Sequence, residues 1–232
     1  MDYYKYTNKG PRAINEDSLY VGFHYNSVFA SIADGVGGLP HGEVASKYVV
    51  DKFSQNITSV NKQSFRDLLI KTNKELEILA KNELKVDFIA TTFSGLYANN
   101  KRIKGIHIGD SKVLLIRDGV IKNLTTDHSE LGRLLREKKI SQVESKNYFR
   151  KNIIEYVLGN KKYFKFMEFD ITSKPKDRLI ICTDGFYETV SDDIILRISN
   201  KNKSMHEVYR KLVIEVENSI LRDNTSFICI EL

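Results

Sequence analysis

Val28-Phe29-Ala30-Ser31-Ile32-Ala33-Asp34-Gly35-Val36-Gly37-Gly38 organises the first half of the chain. A run of small and apolar residues ends on an aspartate, and three glycines fall within the five positions that begin there. Such a run, bounded by turn residues, reads as a strand over 28–33. A second apolar run at 19–23 precedes it, and His24-Tyr25-Asn26-Ser27 between them suits a hairpin turn. The glycine density exceeds what a hairpin needs and suits close approach of backbone to a ligand. A dinucleotide fingerprint would require glycine at position 40, which is Pro40, so that motif fails.

Outward from this stretch, Val44, Ala45, Tyr48, Val49 and Phe53 recur at helical spacing. A second helix is predicted over 64–84, starting at Ser64 with Asp67 three residues on, and burying Phe65, Leu68, Leu69, Leu76, Leu79 and Ala80. Strands are predicted over 89–97, 102–108 and 112–117, separated by Asn99-Asn100 and Gly109-Asp110 and followed by Asp118-Gly119. A short helix over 127–137 takes Asp127 or Ser129 as its cap. The polar, poorly periodic stretch 138–152 reads as a mobile surface segment. Strands over 164–171 and 178–183 follow. A helix over 204–220 opens with a Ser204/Glu207 capping box and lines one face with Met205, Val208, Leu212, Val216 and Ile220, and a strand over 226–230 closes the chain. Short turns between strands mean antiparallel pairing, and helices in two groups make the class α+β.

At 232 residues the chain fits one domain, and 41% apolar with 28% charged residues is ordinary globular composition. The excess of 36 basic over 30 acidic residues is mild and does not argue for nucleic acid. Cys182 and Cys229, the only two cysteines, lie in apolar stretches and form neither a disulfide framework nor a thiolate cage. A reducing compartment follows. The opening residues MDYYKYTNKGPR lack an apolar signal core and no run reaches membrane-spanning length, so the expectation is a soluble cytoplasmic monomer.

Four aspartates sit at strand ends: Asp34, Asp110 and Asp184 each follow an apolar run, and Asp223 precedes the closing strand. In an antiparallel sheet the start of one strand lies beside the end of its neighbour, which lets all four meet at one edge. Carboxylates gathered there repel one another and need cations. All-oxygen ligation selects hard ions, Mg2+ or Mn2+, and the five histidines show no paired zinc spacing. Each aspartate taken alone also reads as a turn residue, since Asp34-Gly35, Asp118-Gly119 and Asp184-Gly185 are ordinary turn dipeptides.

The order of motifs is more specific than any one of them. Gly10-Pro11-Arg12-Ala13-Ile14-Asn15-Glu16-Asp17, Asp34-Gly35-Val36-Gly37-Gly38, Thr91-Thr92, Gly109-Asp110-Ser111-Lys112, Asp127-His128-Ser129, Val157-Leu158-Gly159, Thr183-Asp184-Gly185-Phe186 and Asp223-Asn224-Thr225-Ser226 follow one another across nearly the whole chain. The run resembles the metal-dependent serine/threonine protein phosphatases of the type-2C family, in their bacterial stand-alone form. The resemblance implies an α-β-β-α sandwich of two antiparallel sheets, forming a single catalytic domain over 1–232. It implies hydrolysis of phosphoserine and phosphothreonine in proteins by in-line attack of a hydroxide that bridges two Mn2+ or Mg2+ ions. A Ser/Thr kinase and its substrates are the matching partners.

Position by position, the resemblance makes Asp34 the bridging ligand and the Gly35 carbonyl a ligand of the first ion. Asp184 and Asp223 hold the second, and Asp110 with Asp184 forms a weaker third site. Glu16 and Asp17 hold water, and Arg12 binds the substrate phosphate. Lys112 stands where the family has arginine and reads as structural. Val36 stands where some members carry a histidine able to protonate the leaving group, which leaves that role unassigned. His128 reads as a hydrogen-bonding residue at a helix start. The cysteines have no nucleophilic part. Two other readings are a pseudophosphatase that binds phosphoproteins without turnover, and a two-metal phosphodiesterase. Retention of every principal ligand position argues against the first, and the motif order against the second.

Overall fold

A computed structural model of the chain describes residues 1–56 and 65–232. Among the described residues, ten strands form two five-stranded sheets in which every pairing is antiparallel. One sheet orders β1 (Asp2–Asn8), β10 (Thr225–Glu231), β9 (Arg178–Cys182), β6 (Lys112–Arg117) and β7 (Val120–Asn123). The other orders β2 (Asp17–His24), β3 (Ser27–Asp34), β4 (Phe93–Ala98), β5 (Arg102–Ile108) and β8 (Met167–Thr172).

Three apolar cores explain why the strands read as continuous apolar runs rather than alternating ones. Ala30, Ile32 and Leu96 of one sheet meet Val113, Leu179, Ile181 and Ile228 of the other in the middle layer. On the outer face of the second sheet, Phe93, Ile106 and Ile108 pack under α1 (Gly42–Gln55) and α2 (Phe65–Leu79), which contribute Ala45, Val49, Phe53, Leu69 and Leu76. On the outer face of the first sheet, Leu114, Ile180 and Phe227 pack under three helices: α5 (Asp184–Thr189), α6 (Asp192–Lys201) and α7 (Met205–Glu217). Both faces of each sheet are covered, so the central strands have no solvent face to make polar. The result is the expected four-layer α-β-β-α sandwich.

Several local expectations are refined. Ser64, the expected start of the second helix, lies outside the described residues. The helix continues to Leu84, but its last turn, Ala80–Leu84, widens to a π-helix and ends on Lys85 with a positive φ of 57°. Ser129 caps α3 (Glu130–Arg136) through its side chain, and Ser204 with Glu207 forms the expected capping box of α7. The strand expected over 89–97 begins at Phe93, and the one expected from 164 begins at Met167. Residues 138–152 are largely exposed and contain one short helix, α4 (Gln142–Ser145). Strands β1 and β7 and helices α5 and α6 carry no counterpart among the sequence expectations. Among the described residues, no helix is long and apolar enough to cross a membrane.

Candidate active site

The strand-end aspartates converge. Asp34 closes β3, Asp110 sits in the turn from β5 to β6, Asp184 opens α5 directly after β9, and Asp223 lies two residues before β10. With Arg12 and Glu16 from the β1–β2 connection, and with Gly35, they line one cavity of about 290 Å3. Asp17 is not in the lining. It lies behind, paired with Asp34 across the β2–β3 hairpin.

Asp34 is fixed by backbone rather than by its side chain. Its carbonyl accepts hydrogen bonds from the Thr92 N–H and the Thr91 hydroxyl, both at 2.8 Å, and its own N–H donates to Thr92 Oγ1 at 3.0 Å. Thr92 Oγ1 also shares a 3.0 Å hydrogen bond with Ser111 Oγ, beside Asp110. One buried hydroxyl therefore joins the loops that carry two of the acids. Gly35 sits so close to the start of α1 that a Cβ there would fall 2.4 Å from the Gly42 backbone. Only glycine permits that approach.

The turn before Asp110 is gripped by two histidines. The Gly109 N–H donates to His128 Nδ1 at 3.2 Å, while its carbonyl accepts from the His128 N–H at 2.9 Å and from His107 Nε2 at 3.0 Å. His107 Nε2 also faces the Thr126 carbonyl, so it carries the proton, and Nδ1 accepts from the Ser94 hydroxyl. Burial pushes His107 down to about 3 and His128 to about 4, so both rings are neutral near pH 7. The expected helix-start role of His128 is correct in kind, and it reaches back to the Asp110 loop.

The electrostatics of the acids follow from burial first and mutual repulsion second. Asp34 and Asp110 are pushed well above the usual carboxylate range, Asp184 to about 6 and Asp17 to about 7. Asp17 Oδ2 accepts from the Thr183 hydroxyl at 3.0 Å, but among the described residues no hydrogen-bond partner reaches the buried Asp17 Oδ1 and Asp110 Oδ1. Buried carboxylate oxygens left unpaired are costly unless something positive reaches them. Asp223 is the exception: its Oδ2 takes Arg12 Nη2 at 2.6 Å and its Oδ1 the Asn224 N–H at 2.8 Å. Among the described residues, no three acidic, histidine or cysteine side chains are drawn tightly into a ready-made cage. The acids instead ring the cavity. An all-oxygen donor set with an orphaned oxygen at Asp110 fits hard divalent ions.

Residues 11–219 match the family model described as protein phosphatase 2C. The chain belongs to the protein phosphatase 2C family. A curated relative, the serine/threonine phosphatase stp of Listeria monocytogenes serovar 1/2a, is 26% identical over 214 residues, covering 89% of this chain and 85% of its own length. The fold matches that of the serine/threonine phosphatase Stp1 from Staphylococcus aureus with a TM-score of 0.90, at 25% identity over 100% of this chain and 94% of that one. It also matches the catalytic domain of the serine/threonine protein phosphatase PstP, crystallised with two manganese ions, with a TM-score of 0.80 at 25% identity over 99% and 97% of the two chains. This protein phosphatase 2C chain is thus an enzyme, a protein serine/threonine phosphatase.

Sequence reasoning gave no role to several residues of this phosphatase 2C site. Asn224 Oδ1 accepts the Glu16 N–H, and its Nδ2 donates to the Lys9 and Ile14 carbonyls, which ties the Arg12 loop to the start of β10. Its place in the Asp223-Asn224 motif was the available signal. Asn152 and Ile154 line the cavity from a polar, aperiodic stretch that gives no signal. Lys112 places its Nζ 3.7 Å from the centre of the Tyr187 ring, a cation–π contact.

Proposed function

We propose that residues 1–232 act as one catalytic unit that hydrolyses phosphoserine and phosphothreonine in proteins with two Mn2+ or Mg2+ ions held by Asp34, the Gly35 carbonyl, Asp184 and Asp223, and a third at Asp110 and Asp184. The observation that carries this reading is the meeting of four strand-end aspartates in one cavity, where Arg12 is the one cation among the described lining residues. Bound divalent ions supply an acidified water near neutral pH and neutralise charge on the phosphoryl oxygens.

The remaining chemistry belongs to the chain. The water oxygen attacks phosphorus, the bond from phosphorus to the Ser or Thr oxygen breaks, and inorganic phosphate leaves. Arg12, half exposed at the cavity mouth, presents a planar fork of donors to the phosphoryl oxygens and exchanges its Asp223 contact for them. Glu16, in the cavity lining, orients water around the reacting group, and Asp17 does so from behind Asp34. Val36 lines the cavity and carries no transferable proton, so the leaving alkoxide draws its proton from a bound water or from another group of the site. No thiol competes as nucleophile: Cys182 and Cys229 are fully buried, and burial pushes Cys182 up to about 12. The free thiols suit a reducing, cytoplasmic setting. A Ser/Thr kinase and its substrates are the natural counterparts of a monomeric enzyme of this kind.

The test is hydrolysis of a phosphothreonine peptide with and without Mn2+. Asp34→Asn is expected to lower turnover by roughly a thousandfold or more while circular dichroism stays unchanged. Near-wild-type, Mn2+-independent turnover by that variant refutes the assignment. Tight phosphopeptide binding by the native protein without turnover supports the pseudophosphatase alternative.

A further inference from the structure

Beside the catalytic cavity lies a second depression of about 410 Å3, and Asp223 lines both. Three pairs of chain neighbours straddle the boundary. Asn152, Asp184 and Asp223 line the catalytic side, while Lys151, Gly185 and Arg222 line the other. The two hollows are therefore parts of one continuous surface.

The connection from α7 to β10 builds this surface by alternation. Leu221 turns inward and packs against the core under α5–α7, and Asp223 turns into the catalytic cavity. Ile220 and Arg222 project the other way, into the second depression. Ile220 is 92% exposed and Arg222 is also exposed. A lone exposed isoleucine is ordinary on a protein surface. Here it stands in a hollow next to an unspent positive charge. Lys151 and Glu188 satisfy each other at 2.7 Å, but Arg222 has no ion pair or hydrogen bond among the described residues. The groove thus offers one apolar contact and one uncommitted guanidinium.

We propose that this groove binds the substrate polypeptide beside the phosphorylated residue, with an apolar side chain against Ile220 and an acidic side chain on Arg222. The inference rests on the phosphatase reading of the neighbouring cavity and adds a sequence preference to it. An extended chain advances about 3.3 Å per residue, so four positions on either side of the phosphate sample about 13 Å of the adjoining surface. Charge complementarity selects the occupant: the groove's free charge is positive, while its two acids, Glu188 and Asp223, are already paired with Lys151 and Arg12.

The experiment uses phosphothreonine peptides in which each of the four positions on either side carries Glu in one series and Lys in the other. kcat/KM is measured with Mn2+ at low and high salt. The wild type is expected to favour Glu over Lys by about twofold to fivefold at one or two positions on one side only, and less at high salt. Arg222→Lys keeps the preference, Arg222→Gln removes it, and Arg222→Glu inverts it. The readout is a ratio between two peptides on the same protein, so altered metal loading beside Asp223 cancels. Ile220→Ser is expected to lower the advantage of Leu over Ser at a neighbouring position. Equal kcat/KM across both series, or a ratio unchanged in Arg222→Glu, overturns the groove while the phosphatase reading stands. No hydrolysis of any peptide with Mn2+ overturns that reading and the groove with it.

Discussion

Asp34 and Asp223 line the same cavity but are held by different means. Asp34 is clamped through its backbone by Thr91 and Thr92, and the Asp110 turn beside it is gripped by His107 and His128; the threonine and histidine side chains that do this are buried. Asp223 stands on a connecting loop, and its carboxylate is set by Arg12, whose side chain is 50% exposed. The first flank is a platform whose acids have their backbone held by buried hydrogen bonds. The second is an ion pair screened by solvent, which under the proposed function yields when substrate or cation competes. Under the proposed function the contrast divides labour: one wall fixes the position of charge, and the other lets ligands in.

The platform breaks most easily at Gly109. Its φ is +109°, and a Cβ there would lie 2.5 Å from Thr92 Cβ. Gly109→Ala is expected to cost about 3 kcal/mol or more, from backbone strain plus overpacking, read as a lower urea midpoint. A change below about 1 kcal/mol would show that this wall is softer than described.

A subtler cut is Thr92→Val, which keeps the shape and removes the hydroxyl between Asp34 and Ser111. The buried Asp34 N–H and Ser111 Oγ then lose their partner, at about 1–3 kcal/mol. Isothermal titration should show weaker Mn2+ binding, with Thr92→Ser restoring it. Equal Mn2+ affinity in the valine variant would mean that the hydroxyl stabilises the fold without spacing the acids.

The exchangeable flank is probed by Arg12→Lys. The charge stays but the planar fork is lost, so KM for a phosphopeptide should rise about tenfold with little change in stability. A large fall in melting temperature would show that the Arg12–Asp223 pair is structural after all.

The same contrast explains what the sequence disclosed. Strands buried on both faces announce themselves as apolar runs, so β3, β5 and β9 and the aspartates at their ends were legible. So was the capping box of α7, because Ser204 and Glu207 act through local hydrogen bonds. Strand β1 was hidden: DYYKYTN lies at a sheet edge, mixes tyrosines with polar residues and has no fully buried position. Helix α6 carries its own signals, a Ser191 cap and buried Ile195 and Ile198, but its ten residues sit between two stronger patterns. The threonine and histidine contacts under Asp34 and Asp110 are long-range, up to 58 residues apart. No local pattern encodes such a pairing, and the motif order pointed to Thr91-Thr92 without saying what they hold.

The two thiols have a further use as timekeepers. Cys182 and Cys229 lie on neighbouring strands at the heart of one sheet, both wholly shielded. An alkylating reagent reaches them only when that sheet comes apart, so the pace of their modification measures how often the native structure opens. The same shielding should let the enzyme keep turning over through exposure to peroxide that would silence a phosphatase relying on a thiolate.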